Sequence, residues 1–70
     1  MELRFTIDDA VMNGLQERTH TPRATDVARD GIELLSWATQ EISAGRRIVA
    51  IDDSGNTHVP VMGVLNRARQ

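Results

Sequence analysis

The chain opens with a strict alternation. Leu3, Phe5 and Ile7 are apolar, and Glu2, Arg4 and Thr6 between them are polar. A period of two over this length reads as a β-strand with one buried and one exposed face. Phe, Thr and Ile all favour that backbone. Two helical patterns follow directly. This order constrains the fold more than any other feature, because a lone strand leaves a row of backbone N–H and C=O groups unpaired. Its partner must come from elsewhere in the chain or from another copy.

Asp8 and Asp9 end the strand and start the first helix, predicted to run to about Thr19. A carboxylate at a helix start accepts unpaired backbone N–H bonds and suits the positive end of the dipole. Val11, Met12 and Leu15 sit at helical spacing, while Gly14 is either a point of close packing or a plain weakness. Thr21-Pro22 marks the second helix, with Thr as cap and Pro in the first turn. That helix is expected to reach Ser43, with Gly45 as its stop signal. Val27, Ala28, Gly31, Ile32, Leu35, Ala38 and Ile42 form its apolar stripe, widened by Leu34 and Trp37. Trp37 belongs to the core, to a dimer interface or to a face on the C-terminal segment.

Residues 46–70 differ in character. Ile48 to Ile51 is a short β-branched run, Asp52 to Asn56 is dense turn chemistry, and Thr57 to Val61 is a second short strand. Together they predict a hairpin, with Pro60 confining its strand to an edge. Asn66 to Gln70 reads as a polar, frayed tail. The expected organisation is therefore a unit over 1–45 and a C-terminal hairpin with tail over 46–70.

Size now enters the argument. Seventy residues without cysteine make one small core and no disulfide. Such a core rarely supplies more than ~3–5 kcal/mol, so self-association is the expected stabiliser. The residues suggest how. Two copies of the strand pair antiparallel about a two-fold axis, and four helices cover one face of the ribbon. Leu3, Phe5, Ile7, Val11, Leu15, Val27, Ile32 and Leu35 then form a dimer core. Glu2, Arg4 and Thr6 stand on the other face of a ribbon that fits the DNA major groove, ~12 Å wide. The expected fold class is α+β, mainly α: a homodimer with an intermolecular two-stranded antiparallel ribbon and an added C-terminal hairpin.

Leu3-Arg4-Phe5-Thr6-Ile7, the acidic start Asp8-Asp9, the Val11 to Leu15 spacing and the segment Thr25 to Leu35 resemble the ribbon-helix-helix family of DNA-binding proteins over residues 2–44. The resemblance implies base contacts from alternate strand residues, here Glu2, Arg4 and Thr6. It also implies a DNA phosphate seated at the start of the second helix, here Arg23, Ala24 and Thr25, where free N–H groups favour an anion. The chain departs from the family pattern before that helix, with His20-Thr21-Pro22-Arg23, and carries Gly31 where a small residue such as Ala is usual. The function implied is a sequence-specific transcriptional repressor or autoregulator. Antitoxins built on this fold bind a toxin through the segment after the second helix, here 46–70.

Charge pulls the other way. The net charge is −2, whereas nucleic-acid binders usually carry a basic footprint. Residues 1–45 hold four Arg against eight acidic side chains, and residues 46–70 hold four Arg against two Asp. A protein-interaction module without DNA contact, its N-terminal strand paired with its own hairpin, is thus a competing expectation. Arg46-Arg47 can neutralise the second helix's C-terminus or bind a phosphate, and Arg67 and Arg69 can form a basic tail. No spacing of Ser, His and Asp suggests a nucleophile with its base, so catalysis is not expected. His20 and His58 are isolated, and Asp52 to Asn56 lacks the ligand pattern of a calcium loop, so neither metal nor cofactor is expected. No apolar run is long enough for a membrane span, and the first residues lack a signal-peptide pattern. The expected compartment is the cytoplasm.

Overall fold

A computed structural model describes residues 1–69 as a small α+β chain, mainly helical, with one two-stranded antiparallel sheet. The order is α1 (Asp9–Thr19), α2 (Ala24–Ser43), β1 (Ala50–Ile51), β2 (Thr57–His58) and α3 (Gly63–Ala68). The chain divides into two compact units, the first Met1–Ile32 and the second from Glu33 onward.

In the first unit, Asp8 caps α1. Its backbone is extended and its Oδ1 accepts from the Ala10 N–H at 2.8 Å. The other end closes differently from the sequence expectation. Thr21 does not cap α2; it finishes α1. The Thr21 N–H donates to the Gln16 carbonyl at 3.0 Å, and the His20 N–H to the Glu17 carbonyl at 3.3 Å. This pair is the Schellman arrangement, which needs a left-handed residue between the helix and the chain beyond it. His20 supplies it at φ 54° and ψ 40°. Pro22 therefore lies in the connection, and α2 starts at Ala24, where the Arg23 carbonyl accepts from Asp26 and Val27. The Gln16 side chain closes the turn by donating to the Pro22 carbonyl at 2.8 Å. Val27 is the unit's buried hydrophobic residue, at 8% exposure.

In the second unit α2 ends as expected at Ser43, with Gly45 in the left-handed position. The Gly45 N–H reaches the Ile42 carbonyl and the Arg46 N–H the Glu41 carbonyl, each at 3.0 Å. The Arg46 side chain turns back onto Glu41 at 3.2 Å. The core here is Ala38, Ile42 and Leu65, flanked by Leu35, Ile48, Val64 and Ala68. Leu65 and its neighbours correct the expectation of a frayed tail, since Gly63–Ala68 is helical. The polar residues Asn66, Arg67 and Arg69 stay exposed while Val64, Leu65 and Ala68 turn inward, an amphipathic pattern too short to stand out in sequence. The Ser43 hydroxyl donates to the Ala68 carbonyl at 3.1 Å, joining the ends of α2 and α3.

The hairpin lies where the turn chemistry put it, with shorter strands. Ala50 pairs with His58 and Ile51 with Thr57; Ile48, Val49 and residues 59–61 carry no ladder. Asp52 builds the turn. Its Oδ1 accepts from the Ser54 N–H at 3.0 Å and the Asn56 N–H at 2.9 Å, and its Oδ2 from the Asn56 amide at 3.3 Å.

Candidate nucleic-acid interface

The alternation at the N-terminus survives as geometry within the first unit. Met1, Leu3, Phe5 and Ile7 line a cleft with Met12 of α1 and with Ala28 and Ile32 of α2. Glu2, Arg4 and Thr6 do not line it, and all three are exposed. One apolar face thus meets the helices and one polar face meets solvent, as a period-two segment requires. The apolar face is only partly covered: Leu3 and Phe5 each keep 63% exposure and Ile7 keeps 39%.

No strand forms over residues 1–8 within the single chain. Among the described residues the sheet contains β1 and β2 alone. Among the described residues, no hydrogen bond engages the backbone of residues 2–7. Those donors and acceptors are open to a partner strand or to water.

The other residues expected in a dimer core divide sharply. Val27 is buried, Leu15 and Leu35 are half-buried, and Val11 and Ile32 remain exposed at 51% and 55%. Trp37 is 52% exposed and is not a core residue of the single chain. Ile32 lines the cleft with Leu3 and Phe5, so these three exposed apolar residues of the first unit lie together at the N-terminal segment; Val11 does not line it.

Arg23, Ala24 and Thr25, expected at a phosphate, are all exposed at the start of α2. The first N–H groups of a helix have no acceptor within it. Among the described residues no side chain caps those of Ala24 and Thr25. Asp26 opposes an incoming anion there. Its carboxylate lies 3.8 Å from both Arg23 and Arg29, so one acid holds two arginines loosely at the same helix start. Arg29 and Thr25 also border the cleft under the N-terminal segment. Arg29 is not among the site residues expected from sequence; its position one turn beyond Thr25 is the signal that ties it to this end of the helix.

No protein-family model, curated protein or solved structure matches the chain.

Proposed function

We propose that this chain is a homodimeric, sequence-specific DNA-binding regulator of the ribbon-helix-helix kind. One observation carries the reading. Residues 1–7 present an incompletely covered apolar face, a polar face bearing Arg4, and backbone groups with no hydrogen-bond partner among the described residues. A second copy of the same segment, antiparallel, supplies the missing ladder and covers Leu3, Phe5 and Ile7. The polar faces of both copies then form one surface with Arg4 and Thr6 repeated across the axis. Arg pairs bidentately with guanine, and Thr offers a hydroxyl or sets its methyl against thymine. The α2 start, with its unpaired N–H groups and Arg23, supports backbone positioning.

The test is a gel shift on DNA from the chain's own upstream region, with Arg4→Ala alongside the unmodified protein. Loss of a bidentate contact on each half-site weakens binding at least about tenfold. Equal binding by both proteins removes Arg4 from any reading role.

A second reading rests on the second unit, where Val61 is 95% and Met62 47% exposed. An apolar surface of this kind fits a protein partner, such as a toxin neutralised through 46–70. Because Leu65 belongs to the core, deleting that segment would unfold what it tests. Val61→Asp is the cleaner probe: unaltered partner capture argues against the reading.

A further inference from the structure

The β1 side of the hairpin is an edge that can accept a strand. Pro60 follows β2 and lacks an N–H; in the hairpin register it falls opposite Ile48, so the ladder between the two strands ends before it. Asp52 donates its N–H to the Asn56 carbonyl across the hairpin at 3.0 Å. In an antiparallel ladder this direction alternates residue by residue, so the N–H and C=O groups of Ile51, Val49 and Arg47 point away from β2. Among the described residues, Arg47 and Val49 find no backbone hydrogen-bond partner. Val49 is 37% and Ile51 67% exposed. An isolated two-stranded hairpin is marginal in water, and further strands are what stabilise it.

The sequence along that edge reads Arg46-Arg47-Ile48-Val49-Ala50-Ile51-Asp52-Asp53, with bases at one end, acids at the other and apolar residues between. Such a segment is complementary to itself when reversed. A two-fold axis normal to a sheet keeps each side chain on its own face, so paired residues must share parity. Centring the axis on Val49 meets that condition. Val49 then faces Val49, Ile48 faces Ala50, Arg47 faces Ile51 and Arg46 faces Asp52, each of the last three twice. The pairs formed by Val49, Arg47 and Ile51 are also those whose backbone groups point outward. Arg47 has no carboxylate partner among the described residues and falls diagonal to Asp53, while its stem covers Ile51.

We propose that residues 46–52 of two copies pair antiparallel about an axis through Val49, joining two hairpins into a four-stranded sheet. The occupant of the edge is a second copy because the charge order of the segment matches its own reverse. Arg46 can reach Asp52 of the other copy while keeping Glu41, since a guanidinium carries five donors. This interface uses no residue of the N-terminal segment. If that segment also pairs, the hairpins link dimers into tetramers; if it does not, they make the dimer by themselves.

The test is light scattering on the full chain at micromolar concentration, comparing the unmodified protein with Val49→Lys. The substitution sets two ammonium groups opposite each other across the axis. The expected result is a halved mass, from tetramer to dimer or from dimer to monomer. Val61→Lys, on the β2 side, keeps the original mass. Phe5→Lys separates the two interfaces, because it removes only the N-terminal pairing. A mass unchanged by Val49→Lys overturns the proposal. Should that variant fail to fold, hydrogen exchange on the unmodified chain decides. Val49 and Ile51 amides protected in a concentration-dependent way support the pairing, and fast exchange at both at all concentrations refutes it.

Discussion

Two residues hold the same backbone post with different chemistry. His20 and Gly45 both occupy the left-handed position that closes a helix, with the same pair of hydrogen bonds behind them. A side chain there costs roughly 1–2 kcal/mol that glycine avoids. His20→Gly is expected to stabilise the chain by about 1 kcal/mol, read as a raised midpoint in urea. Gly14 is the converse case. A methyl placed on it would meet only the flexible Arg18 guanidinium, at 3.1 Å. Gly14→Ala should therefore gain about 0.5–1 kcal/mol from helix propensity, so the weakness reading holds within the single chain. A loss of stability would mean that another copy packs against this point.

Among elements, the hairpin turn depends on one ionised side chain. The Asn56 backbone N–H is the main cause holding the Asp52 carboxyl below its ordinary value of 3.8; desolvation opposes it, and the Asn56 side chain, the Ser54 N–H and His58 add to the lowering. A carboxyl lowered on folding contributes stability that is complete above its unfolded value and lost as pH falls through its folded value. The hairpin should therefore loosen only in acid below the ordinary carboxylate range. An NMR titration of the Ser54 and Asn56 amides checks this, and Asp52→Asn should remove the acid-dependent step. Helix α3 depends on Leu65, which fills the gap beside Ala38 and Ile42. Leu65→Ala should cost about 2–3 kcal/mol and melt α3 first, visible as lost exchange protection there. An unaffected α3 would mean that its own hydrogen bonds suffice.

At the scale of the molecule, the core is too thin for the apolar residues present. Val27, Ala38, Ile42 and Leu65 are buried, and even these are not sealed completely. Leu3, Phe5, Val11, Ile32, Leu34, Trp37, Ile51, Val59 and Val61 remain largely exposed. Patches of this sort mark contact surfaces, and small chains without disulfides commonly gain their stability by association. The scattering mass should therefore exceed the 7.8 kDa of one chain, and the unfolding midpoint should rise with protein concentration. A midpoint independent of concentration would leave the exposed residues without a self-association role, and the DNA reading would lose its ribbon.

Local chemistry wrote much of this structure into the sequence. Asp8 starts α1 because its carboxylate fits free N–H groups, Gly45 ends α2 because only glycine enters that conformation without strain, and Asp52 to Asn56 turn because their side chains bond nearby amides. The two faces of residues 1–7 were equally legible, since a period of two needs no neighbours to define it. Three features took tertiary structure to decide. Thr21 satisfies the end of α1 instead of the start of α2, a choice between two nearby sets of backbone partners. Gly63–Ala68 is a helix because Leu65 finds Ala38 and Ile42, a contact across more than twenty residues that no local pattern encodes. Whether the N-terminal segment forms a strand is the third: residues 1–8 carry none within the single chain, because a period of two defines the faces of a strand and not its partner.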